Sequence, residues 1–206
     1  MNWLAHLYLS EPTPAFRIGN LLPDLAPASE LMNLPGDFRR GVEQHRRIDA
    51  FTDSHPIVRQ SMHRISPPFR RFAGILVDVF YDHILAREWD SFSSVPLSDF
   101  AIEVYSSFEC HRDDIPPVAY IRLEHMRAGD LLCSYRELNG ISIALGRIAS
   151  RLSRPVPLAE AVCILEADYN SFYSDFTTFF PELRSHVAPQ PNAARNQIVG
   201  SHEVPS

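Results

Sequence analysis

The sequence predicts an all-α protein with the architecture of a single-domain helical bundle. Apolar residues recur at spacings of three or four through most of the chain, which indicates amphipathic helices. No segment shows the strict apolar and polar alternation of a half-buried strand, and no repeat or internal linker is evident. With 206 residues, of which 45% are hydrophobic, the chain is long enough for one well-buried domain. We expect this domain at residues 1–183 and a disordered tail at 184–206.

The N-terminal segment carries the first candidate ligands. Residues 2–9 predict a short buried helix, in which His6 is the polar group. A lone histidine on an apolar segment is more often a hydrogen-bonded core residue than a metal ligand. Residues 16–24 contain the turn signal Gly19-Asn20 and predict an irregular segment, from which Asp24 can point into a cleft. Asp24 could equally cap the next turn.

A helix is predicted from Asp37, as its N-cap, to Asp53. Within it His45, Asp49 and Asp53 repeat every four residues, so they lie near one face of the helix. This polar row is interpreted either as part of a metal site or as a solvated face. In the second case Asp49 would simply pair with a neighbouring arginine.

The longest predicted helix covers residues 69–89 and is apolar nearly all round, as is typical of a central helix. Asp78, Asp82 and His83 lie within it. An ionised carboxylate in apolar surroundings is costly unless it is paired, hydrogen-bonded or bound to a cation. Two facing helices that offer Asp and His could share one metal ion, and we favour this interpretation over buried salt bridges to arginines.

The remaining chain predicts further helices. They are expected at residues 97–108, 118–132, 140–152 and, with an aromatic stripe at spacings of three or four, 158–181. We interpret the aromatic stripe as part of the core and not as a cofactor site.

The composition excludes several classes of protein. A net charge of −6 and a pI near 5.8 argue against a general nucleic-acid binder. The three cysteines form no CxxC pattern, which argues against a disulfide framework or a zinc ribbon. The N-terminus lacks the basic region of a signal peptide, and no apolar run reaches the ~20 residues that span a bilayer. We therefore expect a soluble cytoplasmic protein that binds neither nucleic acid nor membrane.

Five short motifs follow one another along the chain. They are Met1-Asn-Trp-Leu-Ala-His6, Gly19-Asn-Leu-Leu-Pro-Asp24, His45-Arg-Arg-Ile-Asp49, Phe51-Thr-Asp53, and Asp78-Val-Phe-Tyr-Asp-His83 with Trp89. In this combination, over residues 1–180, the chain resembles the acyl carrier protein phosphodiesterase family. That family is related to the HD-domain phosphohydrolases, so the resemblance implies an HD-domain-like bundle. The adjacent pair here runs Asp82-His83, the reverse of the order that names the HD domain.

The resemblance implies hydrolysis of the phosphodiester between 4′-phosphopantetheine and a serine of acyl carrier protein, with Mn²⁺ or another divalent ion. By family position and helix geometry, the expected metal ligands are Asp24, His45, Asp78, Asp82 and His6. His83 and Asp49 are then assigned to proton transfer or to orientation of the ligands. Arg46 and Arg47 follow His45 directly, and we assign them to the phosphate or to the acidic surface of the carrier protein.

Two other functions stay open at this point. One is an HD-type phosphohydrolase that acts on a nucleotide or alarmone, which is disfavoured because the sequence has no glycine-rich phosphate loop. The other is a helical interaction module whose polar rows are only ion pairs. A di-iron bundle is excluded because the required Glu-x-x-His pairs are missing.

Overall fold

The computed structural model describes residues 1–188, and over this range it contains α-helices and 3₁₀ turns but no strand. The α-helices are α1 (Trp3–Tyr8), α2 (Pro14–Leu25), α3 (Gly36–Ser54), α4 (Pro56–His63), α5 (Ala73–Arg87), α6 (Leu97–Cys110), α7 (Pro117–Ala128), α8 (Leu131–Ser134), α9 (Leu138–Ala149), α10 (Val162–Ala167) and α11 (Tyr169–Val187). Their buried side chains form one hydrophobic core. The prediction of an all-α, single-domain fold is confirmed.

Helix α5 is the centre of the bundle. It packs against α1, α4, α9 and α11, and its residues from Val79 to Ala86 are all buried. A helix that is apolar around its whole circumference needs neighbours on every side, and α5 has them. The predicted helix at 69–89 is shorter than expected, because residues Arg70–Phe72 form a 3₁₀ turn ahead of α5.

The segment predicted to be irregular is helix α2, so that expectation was wrong. Its Gly19 is not in a turn but at the contact between α2 and α3, where a Cβ atom would lie 2.2 Å from the carbonyl oxygen of Phe38. Gly41 on α3 makes the reciprocal contact, since a Cβ atom there would lie 2.3 Å from the carbonyl oxygen of Phe16 on α2. The two glycines thus let the backbones of α2 and α3 touch.

Several helix boundaries also differ from expectation, and the helix predicted at 158–181 is divided into the 3₁₀ turn Leu158–Ala161, α10 and α11. Helix α3 has Pro35 at its N-cap, and Asp37 instead lies in the first turn, where its carboxylate accepts a hydrogen bond from Thr13. At the other end of the chain, α11 continues through Pro181 because its last turns bury Leu183 and Val187 in the core.

The end of α11 bears on the predicted tail. Residues 184–187, which the sequence assigned to the tail, belong to the helix. The rest of the predicted tail, from residue 189, lies outside the described residues. Among the residues that are described, no helix combines the length and the apolar character needed to cross a membrane.

The α2–α3 contact predicts the effect of a single methyl group. We expect Gly41→Ala to lower the free energy of unfolding by about 1–3 kcal/mol, because the added carbon overpacks a backbone contact. The measurement is urea unfolding followed by circular dichroism. Gly146→Ala is the matched control: a Cβ atom at Gly146 in α9 meets nothing within 4 Å, so we expect a gain of ~0.5–1 kcal/mol from helix propensity. Equal effects of the two substitutions would contradict this account.

Candidate metal centre

Four helices bring the candidate ligands together. His6 lies on α1, Asp24 on α2, His45 and Asp49 on α3, and Asp78 on α5. Three of them, His6, His45 and Asp49, each offer a ligand atom, and these atoms all lie within 4.8 Å of one another. Both histidines are buried, whereas Asp49 is partly accessible. We call His6, His45, Asp49 and Asp24 the ligand cluster.

Asp49, which the sequence assigned to proton transfer or to orientation of the ligands, lies at the centre of the ligand cluster. Its Oδ2 lies 2.9 Å from Nε2 of His45, and its Oδ1 lies 3.2 Å from Nε2 of His6. The two imidazole rings are stacked, with centroids 4.1 Å apart. Asp24 completes the group, since its Oδ1 lies 3.8 Å from Nε2 of His45. Two carboxylates thus face the same edge of a stacked histidine pair.

Asn20 on α2 orients both histidines. Nδ1 of His45 donates to the Asn20 backbone oxygen at 2.7 Å, and Nδ1 of His6 donates to the Asn20 side-chain oxygen at 3.0 Å. The Asn20 amide nitrogen in turn donates to the backbone oxygen of His6 and to the Ser10 hydroxyl. With the protons held at Nδ1, the neutral rings present their Nε2 lone pairs to the ligand cluster.

The role of Asn20 was missed from the sequence. The Gly19-Asn20 pair was interpreted only as a turn signal. The residue lies in one of the quoted motifs, which was the single available indication, but its two imidazole partners are 14 and 25 positions away in the chain.

The titration of the ligand cluster reflects this geometry. Partial burial works to raise the pKa of Asp49, but its close contacts with His45 and His6 and the charge of the Met1 amino group outweigh it and hold that pKa well below its ordinary value. Burial opposes a charge on His45, yet the contact with Asp49 raises the His45 pKa. Burial lowers the pKa of His6. Asp49 is therefore ionised, and His6 is the histidine that stays neutral most readily.

Asp78 lies beside the ligand cluster. Its Oδ1 is 3.1 Å from the α-amino nitrogen of Met1, which is also 3.6 Å from Oδ1 of Asp49. Burial would lower the pKa of this amino group, but Asp78 and Asp49 raise it to about 10. The structure thus places Asp78 next to the predicted ligands, with its charge balanced by an ammonium group.

A cleft of about 720 Å³ opens beside these carboxylates. Asp24 and Asp78 line it, and their side chains are 41% and 32% exposed. Trp3 also lines the cleft and donates a hydrogen bond from Nε1 to Asp24 Oδ2 at 3.0 Å. A volume of this size is typical of small-molecule sites, so a ligand in the cleft can reach the edge of the ligand cluster.

Comparison with known proteins identifies relatives of this chain by sequence. A family described as "Acyl carrier protein phosphodiesterase" matches residues 1–183. The chain belongs to this family. It is 34% identical over 184 residues to an acyl carrier protein phosphodiesterase of Enterobacter sp. (strain 638), an alignment that covers 89% of this chain and 95% of the relative. It is 32% identical over 190 residues to that of Escherichia coli (strain K12 / DH10B), covering 91% and 98%. No solved structure matches.

Membership of the acyl carrier protein phosphodiesterase family confirms the prediction that the chain is a hydrolase of the phosphodiesterase class. The ligand set, the metal and the HD-domain relationship stay predictions. Against this background, the structure divides the predicted site residues into those that it brings together and those that it does not.

Asp82 is not brought into the ligand cluster, contrary to its assignment as a metal ligand. Its Oδ2 accepts a hydrogen bond from the backbone N–H of Leu4 at 2.7 Å, and its Oδ1 accepts one from Ala5 at 3.1 Å. Both oxygens are therefore occupied by the unpaired N–H groups that begin α1. Asp82 acts on the cluster indirectly, because it positions the helix that carries His6.

His83 is also outside the ligand cluster. Its Nδ1 donates to the backbone oxygen of Tyr135 at 2.7 Å, and its Nε2 is buried without a hydrogen-bond partner among residues 1–188. It lines a different cavity together with Arg87 and Arg136. The assignment of His83 to proton transfer therefore has no support in this geometry, since the adjacent residues Asp82 and His83 face different neighbours.

Arg46, Arg47 and Asp53 are exposed positions of α3. Nη2 of Arg47 donates to the backbone oxygen of His186 at 2.9 Å, and neither arginine lines the cleft beside the ligand cluster. Asp53, the third member of the predicted row, does not join His45 and Asp49.

The hydrogen bonds that Asp82 accepts at the start of α1 predict that the stability of the protein depends on pH. Complete burial raises the Asp82 pKa to about 7, although Leu4 and Ala5 oppose this, whereas an unfolded Asp titrates near ~3.9. The folded state then holds the proton more tightly, so the contribution of Asp82 to stability is largest at low pH and is lost as pH rises through about 7. We expect the unfolding free energy of the wild type minus that of Asp82→Ala to fall by roughly 2 kcal/mol between pH 5 and 8.

Denaturant titrations in EDTA-containing buffer at the two pH values measure this difference. Asp53→Ala is the control, because an exposed carboxylate of α3 should give a difference that stays nearly constant. A wild-type advantage over Asp82→Ala that grows with pH would instead show that Asp82 is stabilised as an ion.

Proposed function

We propose that the chain is a metal-dependent phosphodiesterase that hydrolyses the linkage between 4′-phosphopantetheine and the serine of holo acyl carrier protein. The observation that carries the proposal is the ligand cluster, in which Asp49 faces Nε2 of both His6 and His45 at the edge of an open cleft. The printed name of the relatives supplies the substrate class.

The residues of the ligand cluster fit a divalent ion. Nε2 of His6 is buried and has no well-aligned hydrogen-bond partner among the described residues, although Asp49 lies 3.2 Å away. A buried acceptor without a hydrogen-bond partner costs free energy unless a proton donor or a metal ion binds it. Imidazole nitrogens together with carboxylate oxygens suit a borderline or hard divalent ion such as Mn²⁺. His6, His45, Asp49 and Asp24 would hold it, with Asp78 adjacent.

The side chains around the ligand cluster orient the candidate ligands and set their charge. Asn20 fixes the two imidazole rings so that Nε2 faces inward, and the low pKa of Asp49 keeps its carboxylate ionised between them. Asp24, held by Trp3, extends the cluster to the cleft, where a substrate phosphate can enter. A bound divalent ion supplies charge stabilisation at phosphorus and lowers the pKa of a coordinated water.

The overall reaction consumes one water. The oxygen of this water forms a bond to phosphorus, and the bond between phosphorus and the serine oxygen of the carrier breaks. One proton of the water ends on the serine oxygen, which gives the apo-carrier, and the other product is 4′-phosphopantetheine.

Intact-mass spectrometry of holo acyl carrier protein tests the proposal. Incubation with the wild type and Mn²⁺ should remove the phosphopantetheine mass, and EDTA should prevent this. We expect Asp49→Asn, which keeps the shape but removes the charge at the centre of the ligand cluster, to lower the rate at least about 100-fold. Asp53→Asn, one turn further along α3 and exposed, should retain the wild-type rate.

Removal of the arm that is indifferent to EDTA and to Asp49→Asn would reject the metal site. A wild type that leaves the holo-carrier intact with every divalent ion would reject the substrate, and the same preparations can then be assayed on a panel of nucleotides.

The exposed arginines of α3 generate a separate prediction. A protein of net charge −6 that binds an acidic carrier needs local positive charge. We expect Arg46→Glu or Arg47→Glu to raise the KM for holo acyl carrier protein severalfold and to weaken its dependence on salt, with a smaller change in kcat. Steady-state kinetics at two ionic strengths provide the measurement. An unchanged KM and an unchanged salt dependence would remove both residues from the carrier-binding surface.

A further inference from the structure

The cleft beside the ligand cluster has a second set of charged residues. Helix α7 contributes Arg122, helix α9 contributes Arg147, and Arg151 follows the end of α9. We call these three residues the arginine triad. The cleft is also lined by the apolar side chains of Ile75, Val79, Met126, Ala144 and Ile148. The cleft therefore combines cationic, apolar and acidic parts.

The arginine triad is not neutralised by acidic neighbours. Some arginines elsewhere in the bundle are paired with carboxylates: Arg17 lies 2.7 Å from Glu103, and Arg64 lies 3.1 Å from Asp175. Within residues 1–188, no member of the triad has a carboxylate oxygen within 4.0 Å. Three cations around one cleft without carboxylate partners in the described chain attract an anion.

One of the three guanidinium groups is hydrogen-bonded to the backbone, and a second lies close to it. Nη1 of Arg122 donates to the carbonyl oxygen of Leu25 at 3.0 Å, at the end of α2 next to Asp24. The Arg147 guanidinium lies against Gly129, where a Cβ atom would be 3.3 Å from Nη2. Positioned guanidinium groups lose less conformational entropy when they bind, and their planar donors match phosphate oxygens.

We propose that the arginine triad binds the phosphate of the 4′-phosphopantetheine arm, while the arm itself extends over the apolar lining of the cleft. This inference rests on the proposed function, because that function supplies the phosphate. The size of the cleft fits an arm of this kind, since sites for small ligands occupy ~300–1,000 Å³ and this one has about 720 Å³. The phosphate role first assigned to Arg46 and Arg47 therefore passes to the triad.

Isothermal titration calorimetry of the full chain tests the proposal without catalysis. The probes are 4′-phosphopantetheine and pantetheine, which differ by the phosphate, in EDTA-containing buffer so that no metal contributes. We expect the wild type to bind 4′-phosphopantetheine at least about tenfold more tightly than pantetheine, as two charge-assisted hydrogen bonds would give. The double variant Arg147→Gln/Arg151→Gln should bind both probes about equally.

Arg59→Gln is the matched control. Arg59 is exposed on α4, has no carboxylate partner among the described residues and does not line the cleft, so its variant should keep the wild-type preference. Thermal unfolding checks that all three proteins are folded. Equal affinity of the wild type for the two probes, no binding of either probe, or an undiminished preference in the double variant would overturn the inference.

A parallel assay of holo acyl carrier protein with Mn²⁺ separates this inference from the proposed function. If the double variant loses the preference while the wild type fails to hydrolyse the holo-carrier, the phosphate site stands and the proposed function falls. If the wild type hydrolyses the holo-carrier while the double variant keeps the preference, the function stands and the triad is rejected.

Discussion

The backbone contact between α2 and α3 is the constraint on which the candidate site depends. Gly19 and Gly41 have no side-chain carbon, so the two helices approach until each glycine touches the carbonyl of the other helix. Asn20 follows Gly19 and so lies between the histidines. Its main-chain and side-chain oxygens can then hold His45 and His6 at the same time. A wider separation of the helices would break the contact with His45 and leave the ring orientation undefined.

A buried carboxylate completes this geometry from the other side. Helix α1 has only six residues and would be marginal on its own, but Asp82 of the central helix binds its first N–H groups. This fixes α1 against α5 and brings His6 into a stack with His45. A residue that was expected to bind metal thus supports the site through a helix terminus.

The local distribution of charged residues differs from what the net charge of the chain suggests. The chain carries a net charge of −6, yet one cleft is lined both by Asp24 and Asp78 and by three arginines. The proposed function would use both kinds of residue: carboxylates to hold a cation and arginines to hold the phosphate. Net charge alone would have argued against the binding of an anion.

The sequence by itself determined the helical class, the central position of α5 and the aromatic core stripe of α11, and it singled out His6, His45, Asp49 and Asp24, which lie close together in the structure. These follow from local periodicity and from the short motifs, which report the buried face of each helix. Only the tertiary structure decided which partner each buried polar group has. Asp82 meets the N–H of a residue 78 positions away, and His83 meets a carbonyl 52 positions away. Such pairings depend on which helices face each other, and periodicity within one helix carries no information about them.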